Sequence, residues 1–143
     1  MKASEPPIIV AQTLDATPLE VWNALTRPQQ MRKWYFDNIP DFKPTEGFTT
    51  QFPVHNDGKT FTHVWVVTEV ILTKKISYRW HFTEYPGKSL VSFDLTETSD
   101  GTTITLTNTI LEDFQDDIPE FRRESCRGGW KYFIQQQLKK YLE

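Results

Sequence analysis

The sequence predicts an α+β fold in which a curved antiparallel sheet wraps around a long C-terminal helix, with two short helices after the first strand. Three observations predict it. Segments that alternate apolar and polar residues are separated by turn sequences such as HNDGK, YPGK and SDG, which is typical of antiparallel strands. A proline-led helical pattern follows the first strand segment. The final stretch, GGWKYFIQQQLKKYLE, has the spacing of an amphipathic helix.

The composition indicates one soluble domain. The 143 residues, 38% hydrophobic and 24% charged, are enough to bury a core without disulfide or metal staples. The formal charge is −3 and there is no dense Lys/Arg run, so we expect no nucleic-acid partner. Cys126 is the only cysteine, which excludes an internal disulfide and indicates a cytoplasmic setting. No apolar run is long enough for membrane insertion, and the N-terminus lacks the apolar region of a signal peptide.

Local signals predict the first strand and the two short helices. Residues 8–15 alternate and are rich in β-branched side chains, which indicates a strand. Thr17 is expected to cap a helix that has Pro18 at its first position. Pro28 should end that helix and open a second, shorter one that ends near Trp34.

Five further strands should occupy the middle of the chain, and their alternation assigns their faces. The segments SLVSFDLTET and TTITLTNTIL each combine an apolar face with a polar one, which in the second is a ladder of threonines. We therefore expect a sheet with one wet face and one apolar face, which the terminal helix covers. The segment ISYRWHF directs four large apolar side chains to one side, namely Ile76, Tyr78, Trp80 and Phe82.

The terminal helix carries two glycines, Gly128 and Gly129, directly before Trp130. If the helix begins near residues 117–119, Gly129 lies on the stripe that faces the sheet, and small residues there leave space. A ligand cavity is one interpretation of that space. The alternatives are a tryptophan packed directly over Gly129, or a helix that kinks or begins at the glycines. The predicted stripe is Phe121, Ser125, Gly129, Trp130, Phe133, Ile134, Leu138 and Tyr141.

A resemblance to a known family rests on four segments: PLEVWNALTRPQQMRKWY, TEVILTKKISYRWHF, VSFDLTETSDGTTITLTNT and GGWKYFIQQQLKKYLE. Together they resemble the Hsp90-ATPase-activator-homologue-like proteins of the START-like (SRPBCC) superfamily. The resemblance implies a single START-like, helix-grip domain over residues 1–143. It also implies a deep cavity between the sheet and the C-terminal helix, suited to hydrophobic or aromatic small molecules. None of the segments is a catalytic motif.

Polar residues on the apolar strand faces are the candidate anchors for a ligand. Asn108 and Gln12 interrupt such faces, and His63 shares a face with Phe61 and Trp65. A polar group on an apolar wall is either a satisfied core group or a ligand anchor, and both interpretations stay open here. The ten residues expected to bind the ligand are Trp34, His63, Trp65, Tyr78, Trp80, Phe93, Asn108, Gly129, Trp130 and Phe133.

Three functions are compatible with this pattern, and we expect the first. It is a non-enzymatic module that binds a hydrophobic or aromatic small molecule, as a monomer or weak dimer and without a cofactor. The second is a module that docks on an Hsp90-type chaperone partner. The eukaryotic co-chaperone of the family has a further N-terminal domain that matters for stimulating Hsp90, and these 143 residues include none, which argues against chaperone activation. The third is a cavity enzyme of the cyclase or hydrolase kind.

Catalytic and metal-binding motifs are not found in the sequence. It contains no GxSxG, no HExxH, no phosphate-binding glycine loop and no paired-cysteine spacing. An enzyme would need a proton-transfer group inside the cavity, for which His63 and Glu69 are the candidates. We therefore predict no catalytic residues and no metal ligands.

Overall fold

The computed structural model describes all 143 residues and confirms the predicted α+β architecture. One antiparallel sheet has the strand order β1-β6-β5-β4-β3-β2, so β2 to β6 form a meander and β1 lies beside β6. The strands are β1 (Ile8–Leu14), β2 (Thr49–Asn56), β3 (Lys59–Ile71), β4 (Lys75–Phe82), β5 (Lys88–Thr98) and β6 (Gly101–Glu112).

Two short helices and one long helix complete the fold. Helices α1 (Pro18–Thr26) and α2 (Pro28–Trp34) follow β1, as predicted. The C-terminal helix α3 is continuous through an α-helical segment (Arg123–Lys131), a π-helical segment (Tyr132–Leu138) and a last α-helical turn (Lys139–Leu142). No helix combines the length and the apolar character that a membrane crossing needs.

The start of α1 is fixed by a reciprocal pair of hydrogen bonds. The Glu20 N–H donates to Oγ1 of Thr17 at 3.2 Å, and the Thr17 N–H donates to Oε1 of Glu20 at 2.9 Å. This capping box satisfies two amide groups that have no partner within the helix. Arg27 alone separates α1 from α2, because Pro28 cannot continue the first helix but suits the first turn of the second.

The strands have the predicted faces. Ile76 and Tyr78 on β4 pair with Phe93 and Val91 on β5, and all four side chains are buried. The threonines on the opposite face of β6 are only partly buried. Trp130, Ile134 and Leu138 of α3 are buried against the apolar face, so the sheet and the helix share one core.

The predicted start of the C-terminal helix at residues 117–119 is wrong. Pro119–Phe121 forms a separate 3-10 turn, Arg122 is extended (φ −74°, ψ 147°), and α3 begins at Arg123. The ring of Phe121 lies 5.2 Å from Phe114 between centroids, inside an aromatic cluster, and its burial outweighs helical continuity. Phe121 therefore does not belong to the helical stripe. Tyr141 is also wrongly placed on the buried stripe, since it is exposed.

The core consists of two hydrophobic clusters of unequal size. The main cluster contains 26 buried residues from the sheet and the helices. The second contains four buried residues at the end of the sheet where β3 begins and β6 ends: Phe61, Ile110, Phe114 and Phe121.

Candidate functional site

A cavity of about 240 Å³ lies between the two hydrophobic clusters, below the first half of α3. Of the 18 residues that line it, 11 are hydrophobic. Phe61 and Phe121 of the second cluster form one part of the wall, and Trp130 of the main cluster forms another. The two clusters are thus separated by unfilled space.

Gly129 borders this space without filling it. No heavy atom lies within 4 Å of the position that a Cβ atom would take there, so the interpretation of a tryptophan packed over Gly129 is wrong. Gly129 and Ser125, one turn apart, both line the cavity. Gly128 is equally unobstructed but borders a groove on the outer surface of the helix. Both glycines lie inside α3, which also excludes a helix that begins at them.

The opening of the cavity lies between the β2–β3 hairpin and α3. The exposed residues of the lining are Asn56 on the hairpin and Ser125 and Gly129 on the helix. Beside them, the carboxylate of Glu120 accepts a hydrogen bond from Nδ2 of Asn56 at 2.8 Å and lies 3.3 Å from Nζ of Lys59. These contacts join the hairpin to the turn that precedes α3.

His63 is a neutral member of the wall. Burial among aromatic rings lowers the pKa of His63 from 6.5 to about 4, although a hydrogen bond to the Phe61 carbonyl opposes the shift. At neutral pH, Nδ1 therefore carries the proton and donates to the Phe61 oxygen at 2.9 Å. The other ring nitrogen, Nε2, is left as a hydrogen-bond acceptor.

Asn108 connects β6 to α3, but only one end of its side-chain amide has a hydrogen-bond partner. Its Nδ2 lies 3.1 Å from Sγ of Cys126, whereas its Oδ1 is buried and has no hydrogen-bond partner. Burial raises the pKa of Cys126 to about 11, so the sulfur is a neutral thiol. If the amide is turned the other way, the thiol donates to the oxygen and the NH2 group loses its partner, so one end stays unpaired in either orientation.

Trp80 presents a second unpaired polar atom. Its Nε1 is buried and has no acceptor, although the ring packs edge-on against Trp130 with 5.6 Å between centroids. Trp65 also has an unpaired Nε1, but it does not line the cavity. The mostly apolar lining thus includes two residues, Trp80 and Asn108, that each hold a buried polar atom without a partner in the protein.

Six of the ten predicted site residues line the cavity, and four do not. The four lie in the core behind the wall, where Tyr35 fills the space: its ring stacks on Trp34 at 4.5 Å and on Trp65 at 5.3 Å, and its hydroxyl is 2.9 Å from that of Tyr78. Phe93 packs against Tyr78. The six lining residues are His63, Trp80, Asn108, Gly129, Trp130 and Phe133.

Two other polar candidates lie outside the cavity. Gln12 on β1 donates through Nε2 to the carbonyl of Thr13. Glu69, considered above as a proton-transfer group, forms an ion pair with Lys75 at 2.9 Å. Neither residue belongs to the lining. No group of three or more His, Cys, Asp or Glu side chains converges in a way that would hold a metal ion.

Several aromatic residues of the wall were not predicted. Phe61 shares a strand face with His63, and Phe82 shares one with Trp80. The alternation that predicts His63 and Trp80 as site residues therefore indicates Phe61 and Phe82 as well. Phe114 and Phe121 lie in the connection between β6 and α3. The helical spacing predicts Phe121 on the stripe that faces the sheet, whereas no periodicity marks Phe114 as buried.

Comparison with known proteins identifies relatives of the fold. A family model described as "Activator of Hsp90 ATPase homolog 1-like protein" matches residues 15–143. A crystal structure of a protein from Chromobacterium violaceum has a TM-score of 0.79 at 21% identity, covering 96% of this chain and 97% of that one. One from Mesorhizobium loti has a TM-score of 0.74 at 27% identity, covering 95% and 96%.

A third similar structure is that of a protein named Aha1. The solution structure of the Aha1 dimer from Colwellia psychrerythraea has a TM-score of 0.77 at 22% identity and covers 97% of both chains. No curated protein matches the sequence.

Proposed function

Because the chain belongs to the activator of Hsp90 ATPase homolog 1-like family, whose fold supports a ligand-binding or regulatory module, we propose that it binds a hydrophobic or aromatic small molecule. The ligand occupies the cavity between the sheet and α3. The mostly apolar cavity that Gly129 borders is the observation that carries this proposal. Protein interiors are normally packed to the density of organic crystals, so a space of this size favours an occupant.

The volume limits the size of the ligand. An apolar cavity of roughly 150 Å³ is known to accept benzene, and this one has about 240 Å³. Sites for drug-sized molecules usually begin at about 300 Å³. A ligand with one or two rings, or an aliphatic molecule of similar size, matches the space.

The C-terminal helix maintains the cavity at a cost in stability. A glycine inside a helix is less stable than alanine by roughly 0.5–1 kcal/mol. Gly129 has this lower helix stability at the border of the cavity, where it adds no side-chain volume. The π-helical segment Tyr132–Leu138 follows directly, and such irregularities are frequent at functional sites.

Binding accounts for the polar groups better than catalysis does. The buried proton-transfer candidate in the wall is His63, and a pKa of about 4 makes it a weak base at neutral pH. The carboxylate of Glu120, at the opening, is held by Asn56 and Lys59. Glu69 lies outside the cavity, and the raised pKa of Cys126 keeps its sulfur protonated. A mostly apolar wall with a few neutral polar atoms is typical of a small-molecule binding site.

Native mass spectrometry tests this proposal. The purified protein is incubated with a small-molecule extract of its host and compared with Gly129→Leu and Gly128→Leu, because only the first substitution adds a side chain at a residue that lines the cavity. We expect an adduct on the wild-type protein and on Gly128→Leu that is absent from Gly129→Leu and is released on denaturation. No adduct on any of the three proteins would count against the proposal.

The family description favours a second candidate, a module that docks on an Hsp90-type chaperone. Docking would use the outer surface and would not depend on the cavity. Isothermal titration calorimetry with purified Hsp90 separates the two functions, because chaperone binding should be the same for the wild-type protein and Gly129→Leu. No heat of binding with either protein would remove this candidate.

A further inference from the structure

We infer that the ligand is an aromatic molecule, rather than an aliphatic one, and that its rings lie between two groups of aromatic side chains that the cavity keeps apart. This inference rests on the proposed function, since it selects the class of molecule held in the same cavity. It depends on the composition of the wall and on the contacts among its rings.

Aromatic side chains dominate the hydrophobic part of the wall. Of the 11 hydrophobic residues in the lining, eight are phenylalanine or tryptophan, and the other three are Met1, Val54 and Cys126. The lining contains no leucine and no isoleucine, although ten of the 26 residues of the main cluster are of these two types. The cavity is therefore bounded by rings and not by the branched aliphatic side chains that occur elsewhere in the core.

The first group of rings lies at the end of the sheet that holds the second hydrophobic cluster. Phe82 stacks on Phe121 with 5.3 Å between centroids, and Phe61 packs edge-on against Phe121 at 5.6 Å. Phe114 joins them through its own contact with Phe121 at 5.2 Å. These four residues, the first ring group, all line the cavity.

The second group of rings belongs to the main cluster. Trp80 packs edge-on against Trp130 at 5.6 Å, and Phe36 packs edge-on against Phe133 at 5.1 Å. Trp130 and Phe133, 6.3 Å apart, connect the two pairs. These four residues, the second ring group, also line the cavity.

His63 is the one ring that contacts both groups. Its imidazole lies 4.8 Å from Phe82 of the first ring group and 5.2 Å from Trp80 of the second, between centroids. No ring of the first group contacts a ring of the second directly. An aromatic ligand in the cavity would supply such contacts, and aromatic pairs that pack edge-to-face or offset gain free energy beyond the burial of apolar area. An aliphatic molecule of the same size would gain from burial alone.

Two probes with one carbon skeleton test the inference. They are 2-naphthol and its saturated counterpart, decahydro-2-naphthol. Both are uncharged at neutral pH and carry one hydroxyl group, so the apolar area that each would bury is similar. Isothermal titration calorimetry measures their dissociation constants. We expect the wild-type protein to bind 2-naphthol about tenfold more tightly, because its rings contact both ring groups.

Substitution of one ring on each side assigns this preference to the two groups. Phe82→Leu and Phe133→Leu, at partly buried positions, should each reduce the affinity ratio of the probes from about tenfold to about threefold. Phe42→Leu is the matched control, because Phe42 is buried outside the cavity and its ring contacts only rings that do not line it. This variant should keep the full ratio. Thermal unfolding confirms that each variant is folded.

Each outcome supports or overturns the inference. Equal affinities of the wild-type protein for the two probes, or tighter binding of decahydro-2-naphthol, would overturn it while the proposed function stands. A ratio that stays tenfold in either Phe82→Leu or Phe133→Leu would overturn the placement of the ligand between the two ring groups. Failure of both probes to bind would overturn the inference together with the proposed function. The comparison within the wild-type protein is decisive even if a variant does not fold.

Discussion

The side-chain amide nitrogen of Asn108, on the last strand, lies 3.1 Å from the sulfur of Cys126 on the C-terminal helix, while the amide oxygen has no partner. Buried polar groups are normally satisfied, because a missing hydrogen bond costs free energy. The unpaired oxygen of Asn108 is therefore expected to lower the stability of the folded protein.

The first prediction concerns the stability cost of Asn108. Asn108→Leu should leave the free energy of unfolding unchanged or raise it by up to about 1 kcal/mol, because the unpaired oxygen is removed and little volume changes. Thr102→Val should lower it by about 1 kcal/mol, since Oγ1 of Thr102 donates to the Ala16 carbonyl at 2.8 Å. Denaturant titration measures both values. A large loss of stability in Asn108→Leu would show that the amide is satisfied in the folded protein.

The second prediction concerns the two glycines of α3. Gly128→Ala and Gly129→Ala should each raise the free energy of unfolding by roughly 0.5–1 kcal/mol, because alanine is the better helix former and neither added methyl group meets another atom within 4 Å. Thermal and denaturant unfolding provide the measurement. Destabilisation of Gly129→Ala alone would mean that a neighbour occupies the space below the helix.

The third prediction concerns the pH dependence contributed by His63. Its pKa in the folded protein is about 4, below the value of 6.5 expected for the unfolded chain. The unfolded state therefore binds more protons between these values, so the stability contribution is complete above pH 6.5 and is lost as the pH falls toward 4. At about 1.4 kcal/mol per pKa unit, the full effect is about 3 kcal/mol.

His63→Gln tests this dependence. As the pH falls from 6.5 to 4, the free energy of unfolding of the wild-type protein should decrease more than that of His63→Gln. The matched control is His55→Gln, since His55 is exposed on the β2–β3 hairpin. If the free energy of unfolding of His63→Gln depends on pH in the same way as that of the wild-type protein, the His63 imidazole takes up protons as readily in the folded state as in the unfolded one.

The fourth prediction concerns the buried hydroxyl pair of Tyr35 and Tyr78, whose oxygens lie 2.9 Å apart. Burial raises the pKa of both phenols, so both stay neutral. Tyr35→Phe and Tyr78→Phe should each cost about 1–2 kcal/mol, because each leaves the other hydroxyl unpaired. The double variant should cost at least about 0.5 kcal/mol less than the sum. Strict additivity would mean that the hydroxyls do not interact.

Local rules account for most of the fold that the sequence predicts. Thr17 and Glu20 form the capping box that starts α1, and Pro28 both ends α1 and opens α2, because these effects depend on neighbouring residues alone. The alternation of apolar residues also assigns the strand faces correctly, since a period of two is a property of each strand by itself.

Tertiary packing decides the rest. The start of α3 moves from residues 117–119 to Arg123 because Phe121 inserts into a cluster formed by distant residues, which no local pattern reveals. The position of the cavity along the strands is equally non-local. Trp65 and Trp80 share an apolar wall, and only the path of α3 and the position of Tyr35 decide that Trp80 borders the cavity and Trp65 does not.

The most direct test of the account is the affinity of naphthalene for three proteins, the wild-type chain, Gly128→Leu and Gly129→Leu, measured by isothermal titration calorimetry. The two glycines are adjacent, equally unobstructed and in the same helix, and only Gly129 borders the cavity. We predict equal affinity for the wild-type protein and Gly128→Leu and no measurable binding to a folded Gly129→Leu. Equal binding by all three proteins, or binding by none, would contradict the assignment of the cavity under Gly129 as the binding site.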